Sequence, residues 1–151
     1  MKRIKEYKKL FNVEGEPTLK ELKTSYRNLV KEWHPDKFQE GDEKAAEAEL
    51  ISRKIIDGYH FLVSMAQETI EANLPEYTAT INESGIADYD HKGLLLTVTF
   101  MDGNTYEYFG VNRGLFLKFN NSDKQMRFGK RNIFQSFPYR KAKKEAQEAQ
   151  A

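Results

Sequence analysis

TLKELKTSYRNLVKEWHPD, running from Thr18 to Asp36, is the stretch on which the fold of this chain turns. Thr18 and Glu21 have the spacing of a capping box, in which each side chain satisfies a backbone N–H at a helix start. Leu19, Leu22, Tyr26, Leu29, Val30 and Trp33 then recur at helical spacing and form one apolar stripe. Lys20, Lys23, Arg27 and Lys31 recur the same way and form a second stripe. Pro35 stops the helix, because it lacks an N–H and its ring clashes with the preceding turn. It also pushes His34 out of the right-handed helical region. His34 and Asp36 are therefore expected in a rigid bend between two helices, and loop residues held on a scaffold tend to act on something outside the fold. Nothing local requires the second stripe to be basic; a merely solvated face is the plain alternative.

On the N-terminal side, Ile4, Tyr7, Leu10 and Phe11 alternate with lysines and predict a short helix over residues 4–13. Glu14-Gly15-Glu16-Pro17 reads as a turn. On the other side, Lys37–Gly41 reads as loop, with Asp42 a helix N-cap and Glu43 favourable in the first turn. Ala48, Ile51, Ile55, Tyr59 and Leu62 share a face of the next helix, which is expected to run to about Ala72. Gly58 inside it costs about 1 kcal/mol relative to alanine, which points to a close helix contact there. Pro75 ends the pattern. Two amphipathic helices on a short connection are expected to pack as an antiparallel pair, with the first helix over the seam.

Taken together, Tyr7 in a first helix, Tyr26-Arg27-Asn28-Leu29-Val30, His34-Pro35-Asp36-Lys37, and a later helix with Tyr59 and Leu62 resemble the J domain of DnaJ-type co-chaperones, over residues 4–65. That resemblance implies docking on the ATPase domain of a DnaK-type heat-shock chaperone and stimulation of its ATP hydrolysis. It implies that Lys20, Lys23, Arg27 and Lys31 form the docking face and that Asp36 engages an arginine of the partner. His34 and Pro35 would hold the bend in its active shape. Asn28 and Glu32 depart from the basic residues many J domains carry, and Ser52 stands where a core phenylalanine is common, with Ile51 placed to compensate.

The composition changes after Pro75. Gly85–Asp90 reads as a strand, His91-Lys92-Gly93 as a turn, and Leu94–Phe100 as a strong strand with Leu94, Leu96, Val98 and Phe100 on one face. Asp102-Gly103 is the best hairpin turn in the chain, and Thr105–Phe109 answers as a third strand. Gly114–Asn120 and Lys130–Phe137 read as short helices. Tyr106-Glu107-Tyr108 with Val111 and the terminal run from Ile133 to Arg140 resembles the KTSC domain, over residues 83–142. A role in RNA binding has been suggested for that family. Residue by residue, the signal for RNA is basic side chains interleaved with aromatics: Arg127, Lys130, Arg131 and Arg140 for phosphates, Tyr106 and Tyr108 as a stacking platform. Against it stands a core that needs those same aromatics, with the charges serving only to solubilise.

The fold class expected is α+β in two small domains. These are a helical J domain over 1–72, a linker over 73–82, a KTSC-like antiparallel sheet with helices over 83–142, and a flexible tail over 143–151. With 24 basic and 23 acidic residues in 151, and a net charge of +1, the chain is globally neither a basic nor an acidic protein. It has no cysteine, which removes disulfides and thiol nucleophiles. The start Met1-Lys2-Arg3-Ile4-Lys5-Glu6 has no apolar run behind it, so no signal peptide is expected, and nowhere do about 18 apolar residues occur in a row. The expected location is the cytoplasm. His60 and His91 lack metal-ligand spacing, and no glycine-rich phosphate loop appears. The chain is expected to be no enzyme and to need no cofactor or metal. Its expected partners are the DnaK-type ATPase, a client protein and, on the second reading, RNA.

Overall fold

The computed structural model describes residues 2–34 and 43–142 and is α+β. It divides into two compact units, Met1–Glu71 and Ala72–Ala151, each with its own packing.

The first unit is helical. α1 (Lys2–Phe11), α2 (Leu19–Trp33) and α3 (Glu43–Met65) pack together, and α4 (Gln67–Ala72) begins after a break at Ala66. The Thr18 hydroxyl caps α2 by accepting the Glu21 N–H at 3.1 Å. Its own proton goes to the Glu21 carboxylate at 3.2 Å, a variant of the reciprocal box. The Glu68 carboxylate accepts the Leu19 N–H at 2.9 Å, bringing a second acid to the positive end of α2. Residue 68 lies at the start of α2 and Ser52 at its end, so α2 and α3 run antiparallel, as their apolar stripes require. Leu22, Ala48, Ile55 and Leu62 are buried in this unit with Phe11 of α1, and Phe61 packs against Tyr7 of α1. Gly58 is the notch that admits α1: a Cβ there would stand 2.8 Å from Tyr7 Cδ1 and 3.1 Å from Phe11 Cε1. The helix expected to reach Ala72 instead ends at Met65, and a separate turn of helix carries Glu68 back to α2.

The second unit is one four-stranded antiparallel sheet, in the order β1 (Ile86–Lys92), β2 (Leu95–Phe100), β3 (Thr105–Phe109), β4 (Tyr139–Lys141). Its core holds Leu96, Val98, Phe100, Tyr106 and Tyr108 from one sheet face. Tyr77 and Ile81 of α5 (Leu74–Glu83), Phe119 of α6 (Arg113–Asn120), and Ile133 and Phe134 beyond α7 (Gln125–Asn132) close it. The β2–β3 hairpin turns at Asp102-Gly103, where Gly103 has φ +92° and the Asp102 carboxylate accepts the Asn104 N–H at 2.9 Å.

Three expectations for this unit need correcting, and one strand was not foreseen. Residues 73–82, read as a linker, lie almost wholly in α5: Pro75 opens this helix, as proline in a first turn can, and Tyr77, Thr80 and Ile81 are buried. His91 and Lys92 belong to β1, and the tight turn sits at Gly93 (φ +59°) and the exposed Leu94. The last helix lies at 125–132 rather than 130–137, because Phe134 folds back on Gly129, whose missing Cβ leaves room for its ring. The run from Tyr139 to Lys141, to which the sequence reading gave no element, is a fourth strand whose edge position suits the preceding Pro138. The tail 143–151 lies outside the described residues.

Candidate functional site

In the first unit the site is built on α2 and its C-terminal end. Leu22 is fully buried, and the Tyr26 ring stacks on Tyr59 at 4.3 Å and 22°. With that stripe turned inward, Lys20, Lys23, Arg27 and Lys31 stand exposed along the opposite side. Among the described residues no ion pair engages any of the four. Asn28 and Glu32 are exposed on the same helix. The stripe leads to His34, the C-cap of α2, exposed and extended at φ −61°, ψ 130°, as a residue ahead of proline must be. Pro35 and Asp36 lie outside the described residues. Sequence reading noted Ser52 only as standing where a core phenylalanine is common; its hydroxyl donates to the Trp33 carbonyl at 3.0 Å and ties the end of α2 to α3.

In the second unit the expected nucleic-acid residues separate. Tyr106 and Tyr108 share a strand face, but that face lies under the helices: they are 1% and 0% exposed and offer no ring to a base. Tyr77 donates to the Phe134 carbonyl at 2.6 Å; having one proton, it accepts from Tyr108 at 2.9 Å. The Tyr106 hydroxyl is buried without a hydrogen-bond partner among the described residues. Arg140 pairs with Glu107 across β3 and β4, both side chains nearly buried, so it serves the sheet rather than a ligand. Lys141 is similarly held by Glu76 at 2.6 Å. Arg127 and Arg131 are exposed on α7 and Lys130 is half-buried there. With Arg113, Lys118 and Lys124 they form the cationic part of the helical layer, and among the described residues no ion pair engages them.

Residues 82–137 match the KTSC domain family. The KTSC domain thus begins inside α5 and closes just before β4, so the fourth strand lies beyond the matched segment.

A second comparison concerns a different protein. A 61-residue stretch of the chain is 38% identical to the protein named Chaperone protein DnaJ in Thermotoga sp. (strain RQ2), and equally to that in Thermotoga maritima. The stretch is 40% of this chain and 16% of those proteins, so most of their length has no counterpart here.

His60 is exposed, and His91 is structural: its Nε2 lies 2.7 Å from the Val111 carbonyl, which can only accept, and its ring stacks on Phe116. Among the described residues no three His, Asp or Glu side chains are grouped to hold a metal, and no helix is long and apolar enough to cross a membrane.

Proposed function

We propose that the chain is a cytoplasmic J-domain co-chaperone. Its helical unit would dock on the ATPase domain of a DnaK-type heat-shock chaperone and stimulate ATP hydrolysis, while the KTSC domain chooses the client or the location. The observation that carries this reading is the exposed row Lys20, Lys23, Arg27, Lys31, which ends at an extended His34 before Pro35. The partial identity to DnaJ proteins supports it. The row would steer encounter with an acidic surface and make it salt-sensitive. The bend, with Asp36 reaching a partner arginine, would favour the hydrolysing state of the partner by binding that state more tightly. The bond-breaking chemistry belongs to the partner, and the chain itself is no enzyme. The test is the ATP turnover of a DnaK-type chaperone with wild-type protein and with His34→Gln. Stimulation by the first and not the second is expected; equal, unstimulated rates reject the proposal.

A second reading rests on the helical layer of the KTSC domain. Arg113, Lys118, Lys124, Arg127 and Arg131 are exposed there, and Asp123 is the one acid between residues 113 and 142. Such a surface suits RNA phosphates, with no contribution from stacking on Tyr106 or Tyr108. Single-stranded RNA is then bound with an affinity that falls steeply between two salt concentrations, at about 0.7 logarithmic units per decade for each phosphate contact. Binding that ignores salt, or none, removes this reading.

A further inference from the structure

The last turn of any helix leaves carbonyl groups without an intrahelical donor. At the end of α2 one of these, Trp33 O, accepts the Ser52 hydroxyl at 3.0 Å in a half-buried bond. Serine inside a helix can bond a carbonyl one turn back on its own helix. Ser52 gives its single proton to the neighbouring helix instead. The carbonyl it holds and the N–H of His34 belong to one rigid, planar peptide group. Fixing the oxygen therefore fixes the plane from which His34 departs. It also fixes it at the base of the connection between α2 and α3, because Ser52 is anchored in the body of α3.

We propose that Ser52 is a positioning residue for His34, orienting the peptide from which His34 leaves the end of α2. What the bend does is taken from the J-domain reading above; what Ser52 does rests on the geometry alone. The basic row is untouched by this bond, so Ser52 governs how well a docked bend works and not how tightly the chain docks.

The experiment uses the full chain with Ser52→Ala and Ser52→Thr, the second keeping a hydroxyl. Stimulated ATP turnover is measured across co-chaperone concentration, and the His34 ring signals are tracked by NMR in the protein alone. Ser52→Ala is expected to lower maximal stimulation about two- to tenfold, the range one neutral hydrogen bond carries. The half-saturating concentration stays as in the wild type. His34 signals shift in Ser52→Ala, and Ser52→Thr restores both signals and maximum. Unmoved His34 signals with an unchanged maximum overturn the proposal, as does an equal defect in both variants, which would mean packing rather than the hydroxyl. If wild-type protein stimulates nothing, the J-domain reading falls, while the His34 signals still judge the tether.

Discussion

Tyr77, Tyr106, Tyr108 and Tyr139 meet in the core of the second unit, with the Tyr77 and Tyr139 rings stacked at 3.9 Å. Burial opposes the phenolate, so Tyr77 and Tyr108 hold their protons far above the ordinary range, Tyr106 is pushed up to about 12, and Tyr139 is raised as well. An unfolded tyrosine titrates near pH 10. Because the folded values are raised, the stability these groups confer is whole below about pH 10. It falls as pH rises through the folded values, about 12 for Tyr106. Urea midpoints measured from pH 8 to 11.5 are expected to be flat at first and to decline above about 10. Tyr106→Phe, which removes an unpartnered hydroxyl, is expected to lessen that decline and to cost nothing near pH 7. An identical alkaline decline in the variant would contradict this. Strand alternation made it legible that Tyr106 and Tyr108 share a face. It could not say that the helices lie over that face, since alternation has no information about which layer is added.

Gly58 shows how an element is docked through a missing atom. Alanine there gains about 1 kcal/mol in helix propensity. Its Cβ would stand 2.8 Å from Tyr7, however, and overpacking a core costs about 1–3 kcal/mol. Gly58→Ala is therefore expected to lower the melting temperature of the helical unit, and an unchanged or higher value would mean that α1 gives way easily. The cap at Thr18 and the end of α2 ahead of Pro35 were legible, because each depends on neighbours within a turn or two of helix; Gly58 was legible as a close contact from its cost in helix propensity, but not that α1 makes that contact. The extent of α3 was not, since the stop at Met65 leaves a separate α4 whose Glu68 serves Leu19, 49 residues earlier. Nor was the register of α7, which Phe134 decides by packing against Gly129.

At the scale of the molecule, α5 belongs to the second unit. Tyr77 and Ile81 are each 3% exposed in its core, and the Tyr77 hydroxyl bridges Tyr108 and Phe134. A fragment of residues 73–142 is accordingly expected to fold with a cooperative thermal transition. One of residues 83–142, cut where the sequence placed the domain boundary, is expected to lack it, having lost Tyr77 and Ile81 and with them the donor to Phe134. Circular dichroism melts of the two fragments make the comparison; a cooperative melt in the shorter one would show that α5 is dispensable.

The order of amino acids determined by itself the two stripes of α2, the extended backbone ahead of Pro35, the Asp102-Gly103 hairpin and the first three strands. Those features arise from sterics and hydrogen bonds among residues close along the chain. Only the tertiary structure decided that Ser52 holds Trp33, that Arg140 is spent on Glu107, that Tyr106 and Tyr108 face inward, and that Pro75 opens a helix instead of ending one. Each of these depends on a partner brought near by packing, 19 residues away for Ser52 and 57 for Tyr77 with Phe134, where no local pattern reaches.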